Sequence, residues 1–381
     1  MSLIKDIAVY HFLPARAMLL LAGILMLGAC ASQQTAHPDP PHLHNSGPEI
    51  QIADVDVLAV SPAMDEFLER YVTRYADMDT RMYLLMNAVS PNGVLGFEYN
   101  PSFSLTSTEA FDSRSGNCIG FANMMIALAR RAGLKAYYQE VFRRPEWSSR
   151  EDTVLLVKHI NVILKTRSYT YVVDVSGIKM NPNMRRRVIK DNYARALYVT
   201  NLGADAMFDG DLPTAYAYLS KAIDMEPSLT DSWVNIGVVF GRNDQLDDAR
   251  FAFQRALEID DTTYSALSNL YEVYIAQEDF EAAQGLQAAV EKYRWGNPYY
   301  LLKMSDEALE LERFEESISL LQRAIQKKRN DHQLYFALAK TQYLSGEIAS
   351  AEDNLLRARE LAPESEMALY DRPLNELVKE E

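Results

Sequence analysis

The residues able to do covalent chemistry in this chain are few, because only two of its 381 residues are cysteines, Cys30 and Cys118. A thiolate is a strong nucleophile at neutral pH, so each cysteine is a candidate reactive group. If Cys30 is modified, Cys118 has no partner within the chain. A lone thiol is either buried and inert or retained for its reactivity, and the cysteine count leaves both readings open.

The residues that follow Cys118 predict a helix that would favour the reactive form. Apolar side chains recur at helical spacing over residues 118–132, and Gly133 provides a stop for the helix. Cys118 would then lie at the positive end of the helix dipole, which stabilises a thiolate. A neighbouring imidazolium would stabilise it further, and a carboxylate would orient that imidazole.

The choice of imidazole is narrow, because beyond the N-terminal 60 residues the chain contains only His159 and His332. His159 falls in the same predicted domain as Cys118. Residues 136–141, 154–164 and 169–175 have the alternation typical of β-strands, and His159 lies in the second of these. We therefore predict an antiparallel sheet after the Cys118 helix.

The register of the last two strands links His159 to Asp174. If the turn is centred between Thr166 and Arg167, the two residues face each other across an antiparallel pair. Opposed Cβ atoms lie ~4.5–5.5 Å apart, close enough for a carboxylate to reach an imidazole nitrogen. A pairing shifted by one residue would place the two side chains on opposite faces.

Three segments resemble transglutaminase-like proteins over residues 100–178. Residues 114–122 (Arg-Ser-Gly-Asn-Cys-Ile-Gly-Phe-Ala) resemble the family's nucleophile motif, residues 158–162 its His strand and residues 171–174 its Asp strand, in the family's order. The resemblance implies a papain-like α+β domain in which Cys118 attacks, His159 transfers the proton and Asp174 orients the imidazole. It also implies that the Cys118 backbone N–H contributes to an oxyanion hole.

The chain departs from this family at one point. The family often has an aromatic residue soon after the histidine, where this chain has Ile160-Asn161-Val162. Asn117 is read as a helix cap. Ordinary structural readings also stay open, with Cys118 as a buried thiol, His159 as a sheet residue and Asp174 as a strand-end turn residue.

From about residue 196 the sequence repeats with a period of 34 residues and is helical throughout. Small residues share two registers: Ala215, Ala249, Ala283, Ser317 and Ala351 in one, and Ala222, Ala256, Val290, Ala324 and Ala358 in the other. The pattern resembles tetratricopeptide repeats, helix–turn–helix units of this length that stack into a solenoid. Five units fit residues 196–365, with Tyr271 and Ser305 at a position that usually holds Gly or Ala.

One polar residue recurs in the first helix of the early units. Asn201, Asn235 and Asn269 are spaced by 34 residues, and the series lapses at Lys303 and Ala337. In tetratricopeptide proteins the first helices line a concave face where extended peptides bind, and an amide offers both a donor and acceptors to a peptide backbone. The resemblance thus implies peptide binding by these asparagines, with local helix packing as the alternative.

The N-terminus has the pattern of an export signal. Lys5 and Arg16 precede eleven residues, 17–27, that are apolar or small, too few for the ~20 that a spanning helix needs. The run ends in Leu-Gly-Ala-Cys30, which resembles the lipobox of bacterial lipoproteins. The resemblance implies that Cys30 is lipidated, and Ala31 favours the outer membrane over the inner. A plain secretory signal with a chance cysteine is the alternative.

The predicted organisation is a signal peptide (1–29), a Pro/His-rich solvated linker (30–60), an α+β thiol domain (61–190), an all-α tetratricopeptide solenoid (191–366) and an acidic tail (367–381). The net charge of −15 argues against nucleic acid as a partner. The chain has no P-loop, dinucleotide-binding glycine pattern, HExxH or paired-cysteine zinc motif, so we expect no cofactor and no metal.

Together these patterns predict a lipid-anchored protein on the periplasmic side of the outer membrane, with membrane contact by its anchor only. The Cys118, His159 and Asp174 site is predicted to hydrolyse or transfer an amide bond of a protein or peptide recruited by the repeats. Whether it is an enzyme stays open. The alternative is a catalytically silent transglutaminase-like scaffold or interaction protein in envelope assembly.

Overall fold

The computed structural model describes residues 39–48, 50–101, 104–142, 147–150, 153–156, 159–176, 184–363 and 366–371. The chain divides into two compact units. The first comprises Met1–Arg143 and Lys158–Thr263, and the second comprises Arg144–Val157 and Tyr264–Glu381. In the described ranges, no helix is both long and apolar enough to span a membrane.

Helices come first and strands follow in the N-terminal half. The elements are α1 (Pro62–Tyr71), α2 (Met78–Val89), β1 (Glu98–Tyr99), α3 (Ser107–Ser113), β2 (Ser115–Gly116), α4 (Cys118–Arg131), β3 (Lys135–Phe142), β4 (Trp147–Arg150), β5 (Thr153–Leu156), β6 (His159–Lys165), β7 (Thr170–Val173) and β8 (Arg185–Ile189). The Ser61 side chain caps α1, whose first residue is proline.

The four-stranded sheet of the first unit has the order β7-β6-β3-β8 and is antiparallel throughout. Helix α4 packs on β3 and β6. One face of the sheet supplies the core side chains, Ala136, Tyr138, Ile160, Val162 and Leu164. His159, Asn161 and Gln139 alternate with these residues and therefore occupy the other face.

One prediction in this region is corrected, and two further elements were not predicted. The single strand expected over residues 154–164 is two strands, β5 and β6, and β5 pairs with β4 instead of joining the central sheet. Strand β8 was not predicted, because its three consecutive arginines obscure the alternation. One of them, Arg187, bonds through Nε to the buried Glu140 at 2.6 Å, which accounts for its place in the sheet. Helix α3 was not predicted either, although its Thr106–Glu109 capping box is a recognisable start signal.

The first unit continues into two helix pairs. They are α5 (Asp191–Phe208) with α6 (Leu212–Met225), and α7 (Thr230–Arg242) with α8 (Leu246–Ile259). Glycine is required where the helices of each pair approach closely. A Cβ on Gly203 would lie 2.7 Å from the Leu219 side chain, and one on Gly237 would lie 2.6 Å from Phe253. The 34-residue spacing of these two glycines thus reflects a repeated packing contact.

The second unit contains three further helix pairs and the β4–β5 hairpin. The helices are α9 (Tyr264–Ala276), α10 (Phe280–Arg294), α11 (Pro298–Glu310), α12 (Phe314–Lys327), α13 (His332–Ser345) and α14 (Ile348–Leu361). The small residues of both predicted registers are buried, including Ala283, Ala324, Ala351 and Ala358. The fold class is confirmed: an α+β region is followed by a helical region with repeats of the tetratricopeptide type.

Part of the predicted linker makes contacts with residues distant in sequence. The backbone of His42 and His44 is bonded to the Gln245 side chain, which donates to the first carbonyl at 3.0 Å and accepts from the second N–H at 2.7 Å. Leu43 is buried between them. Farther along, Lys221 Nζ donates to the Ile52 carbonyl at 2.8 Å. Long-range contacts of this kind have no signal in the local composition, so they could not be expected from the sequence.

Candidate active site

Cys118 is the first residue of α4, as predicted. The side chain of Asn117 accepts a hydrogen bond from the Gly120 N–H at 3.1 Å and so caps the helix. The chain enters this turn through Arg114, whose φ of 53° lies in the left-handed region. Gly120 leaves room for a neighbouring loop, because a Cβ there would be 3.2 Å from the Leu105 nitrogen. The partly exposed thiol thus lies at a helix N-terminus, where a thiolate is favoured.

His159 is brought to this thiol by the sheet. It begins β6 opposite Val141 of β3, and its ring is almost fully buried. Ring nitrogen Nε2 is hydrogen-bonded to Oδ2 of Asp174. The Cys118 side chain lies close enough to the same ring to affect its pKa. Since Nε2 is occupied, Nδ1 is the nitrogen available to the sulfur.

Asp174 follows the last residue of β7 and approaches His159 from the adjacent strand. The predicted register of this hairpin was wrong by two residues. Lys165 pairs with Thr170, so the loop is centred between Arg167 and Ser168. A shift of two residues preserves the face of the sheet, so Asp174 meets His159 diagonally instead of directly. In this register Asn161 lies across from Asp174.

Asp174 is held by a residue that sequence reasoning did not select. The N–H of Ser176 donates to Oδ1 at 2.9 Å, and its hydroxyl donates to the same oxygen at 2.6 Å. This is a local turn of the kind that aspartate often forms two residues ahead of a donor. Asp174 is therefore both a strand-end turn residue and the partner of His159, and the Asp-x-Ser spacing was the available signal.

The electrostatics of the pair favour its charged form. Burial lowers the pKa of His159, but its hydrogen bonds to Asp174 and Cys118, with the negative charge of each, outweigh burial and raise that pKa to about 9. Burial raises the pKa of Asp174, whereas His159 and the two bonds from Ser176 lower it, and the net direction is downward. At neutral pH this geometry places an imidazolium between a carboxylate and the Cys118 sulfur, which is the arrangement that activates a thiol nucleophile.

Asn161 is a second site feature that the sequence gave no reason to choose. Its side chain is fully buried, and neither its Nδ2 nor its Oδ1 has a hydrogen-bond partner among the residues that the structure describes. Gln139, opposite it on β3, also has an unpartnered buried Oε1. A buried amide without partners costs about 1–3 kcal/mol. The Asn161 amide lies beside the His159–Asp174 pair. It belongs to the segment after His159 in which the sequence departs from the transglutaminase-like pattern.

The predicted peptide-binding asparagines have different surroundings. Asn201 is half-buried, and its Nδ2 donates to the Ser104 hydroxyl at 3.0 Å, within the first unit. Asn235 and Asn269 are also half-buried, and within the described ranges neither side chain makes a hydrogen bond. The donor of Asn201 is thus already engaged, and peptide binding by the three residues stays a prediction. Cys30, the rest of the predicted signal region and most of the predicted acidic tail lie outside the described residues.

Two regions of the chain match families of known proteins. The model of the Transglutaminase-like superfamily matches residues 69–175, and that of the Tetratricopeptide repeat matches residues 230–263. The chain therefore contains a transglutaminase-like domain and a tetratricopeptide repeat, and the repeat indicates a role in binding a protein or peptide partner. No curated protein matches the chain in sequence.

Solved structures similar to the chain align with it at low identity. MamA from Desulfovibrio magneticus RS-1 (residue 41 to the end) is 15% identical over 45% of this chain and 96% of its own, with a TM-score of 0.28. YrrB, a TPR protein with an unusual peptide-binding site, is 16% identical over 47% and 92%, with a TM-score of 0.27. PilF of Pseudomonas aeruginosa is 17% identical over 50% and 87%, with a TM-score of 0.34.

Proposed function

We propose that this protein cleaves or transfers an amide bond of a protein or peptide, with Cys118 as the nucleophile. The observation that supports this most strongly is that one imidazole has both a carboxylate and a thiol as neighbours. His159 is hydrogen-bonded to Asp174, and the Cys118 side chain is near enough to contribute to the raised pKa of the ring. A histidine buried only for packing needs neither a carboxylate nor a thiol partner.

The chemistry follows from these contacts. The Cys118 thiolate attacks the carbonyl carbon, and the oxyanion that forms accepts a hydrogen bond from the Cys118 backbone N–H. As the C–N bond breaks, the leaving amine takes a proton from the His159 imidazolium, which leaves a thioester on Cys118. Water then attacks the thioester while His159 removes its proton. The thiolate leaves, and His159 is again an imidazolium stabilised by Asp174.

Hydrolysis is proposed over transfer because water is the acceptor present in every aqueous site. An amine in place of water would produce a cross-link by the same steps. The repeats would supply the partner, with Asn235 and Asn269 offering unengaged amide groups to a peptide backbone. Lipidation of Cys30 would hold both functions on the periplasmic side of the outer membrane, a proposal that depends on the lipobox resemblance alone.

The test compares the full-length protein with its Cys118→Ala variant, each incubated with a bacterial envelope extract. We expect both proteins to capture the same partner through the repeats. Only the wild type should generate new amino termini, detected by terminal labelling, or a cross-linked species of higher mass. Capture of a partner with identical products from the two proteins would instead establish the silent-scaffold alternative. The observation that favours this alternative is that Ile160-Asn161-Val162 follows His159, where the family often has an aromatic residue.

A further inference from the structure

The Ser104 hydroxyl joins the first repeat helix to the turn that carries Cys118. Its oxygen accepts hydrogen bonds from Asn117 Nδ2 at 2.8 Å and from Asn201 Nδ2 at 3.0 Å. Asn117 in turn accepts from the Gly120 N–H through Oδ1. A continuous chain of three hydrogen bonds therefore runs from α5 to the first turn of α4.

The orientation of each side chain in this series of hydrogen bonds is determined by its neighbours. An asparagine amide has one oxygen and one nitrogen, so the bond from Gly120 to Oδ1 directs Nδ2 of Asn117 toward Ser104. The Ser104 oxygen has two lone pairs, and both accept a hydrogen bond. The residue is only 8% exposed, so water cannot readily replace either donor. Without the Ser104 hydroxyl, the Asn117 side chain would lose the hydrogen bond from its Nδ2 and keep only the one that its Oδ1 accepts from Gly120.

The backbone at Ser104 is fixed independently of the repeats. The next residue, Leu105, has its carbonyl bonded by Asn123 Nδ2 at 2.9 Å, and Asn123 is itself bonded by the Tyr138 hydroxyl at 2.7 Å. The Leu105 backbone also packs closely on Gly120. Ser104 is thus a rigid acceptor beside the nucleophile turn, and Asn201 reaches it from another element.

We propose that Ser104 and Asn201 are positioning residues for Cys118. They act through Asn117: by holding its side chain they hold the first turn of α4, and with it the distance from the Cys118 sulfur to His159. The first repeat is then part of the thiol site as well as part of the recruiting surface. This inference rests on the proposed function, because positioning matters only if the thiol reacts.

The test measures alkylation of Cys118 by iodoacetamide in the full-length protein, with the site of modification read by mass spectrometry. In Ser104→Ala and Asn201→Ala we expect a rate at pH 7 about fivefold below wild type, the factor that matches the usual contribution of an N-cap hydrogen bond. The pH profile of alkylation should move toward higher pH in both. The alkylation rate of the double variant should lie within about twofold of the rate of Ser104→Ala, because both changes break the same series of hydrogen bonds.

Two matched controls separate positioning from general loss of stability. Ser61→Ala removes the serine that caps α1. Asn192→Ala, in α5, removes a hydrogen bond from an asparagine side chain to the Met225 carbonyl. Both should lower the thermal midpoint as much as the test variants and leave the rate and pH profile of alkylation unchanged. Equal slowing in controls and test variants, or additive slowing in the double variant, would overturn the inference.

A His159→Ala arm distinguishes this inference from the proposed function. If His159→Ala slows alkylation while Ser104→Ala and Asn201→Ala do not, the positioning role is wrong and the thiol site stands. If His159→Ala leaves alkylation unchanged, the proposed function itself fails, and the positioning role fails with it.

Discussion

Asp174 and His159 meet across two antiparallel strands although they are not directly opposed. The carboxylate follows the end of β7, and Nε2 of His159 at the start of β6 donates to it diagonally. Ser176 occupies the other oxygen of the carboxylate, so its orientation is set from both sides. Because Nε2 is engaged in this way, Nδ1 is the ring nitrogen that remains for Cys118.

Asp174→Asn should lower the pKa of His159. The wild-type value of about 9 depends on the carboxylate, and burial alone acts in the opposite direction. We expect the pKa to fall by more than one unit, which corresponds to about 1.4 kcal/mol per unit. The measurement is an NMR titration of the histidine ring C–H signals. Asp65→Asn, which breaks the exposed ion pair to Arg131, is the control and should leave His159 unchanged. A His159 midpoint that does not move in Asp174→Asn would contradict the pairing.

The same raised pKa predicts how His159 affects stability at different pH. A group whose folded pKa lies above its unfolded value of about 6.5 stabilises the fold fully below that value, and the contribution is lost as pH rises through about 9. The thermal midpoint of His159→Gln should therefore differ most from wild type below pH 6.5 and least above pH 9. A difference that stays constant from pH 6 to 10 would show that the charge of His159 does not contribute.

Local sequence patterns predicted much of this architecture. The 34-residue period predicted the repeats because each unit buries the same small residues, and the close contact at Gly203 and Gly237 repeats with it. The start of α4 at Cys118 was predictable because its cap, its apolar face and the glycine after it are all local signals. The order of the motifs also placed Cys118, His159 and Asp174 in one domain.

The features that were missed depend on contacts distant in sequence. The β6–β7 register depends on the length of the loop at residues 166–169, which composition does not determine. The segment at residues 42–44 looks like a tether until Gln245, some 200 residues later, binds its backbone. Ser104 has no motif of its own, and its importance comes from Asn117 and Asn201 together. These are consequences of tertiary packing.

Asn161→Val should stabilise the fold. The asparagine is fully buried, and within the described part of the chain neither side-chain group is bonded. Replacing it by an apolar residue of similar size therefore removes a desolvation cost. We expect a gain of about 1 kcal/mol, seen as a higher thermal midpoint. Asn123→Val is the matched control, because Asn123 is equally buried but bonded at both amide atoms, and this change should destabilise. Loss of stability in Asn161→Val would show that the amide is satisfied in the folded protein.

Cys30→Ser should prevent lipid attachment. We expect the variant to leave the membrane fraction or to retain its uncleaved N-terminal segment, since a serine hydroxyl cannot form the thioether. Cell fractionation and the intact mass of the protein check both outcomes. Cys118→Ser is the control and should remain membrane-bound at the processed mass. Normal processing and unchanged membrane association of Cys30→Ser would exclude the lipoprotein assignment.

The central claim is that His159 activates Cys118, and the rate constant for iodoacetamide alkylation of Cys118 at pH 7 tests it most directly. The wild-type protein should react at least tenfold faster than His159→Ala, because the imidazolium stabilises the thiolate that attacks the reagent. The wild-type rate should also exceed that of the same cysteine in the urea-unfolded chain. Equal rates in wild type, His159→Ala and the unfolded chain would contradict the account and leave Cys118 as an ordinary thiol in a transglutaminase-like scaffold.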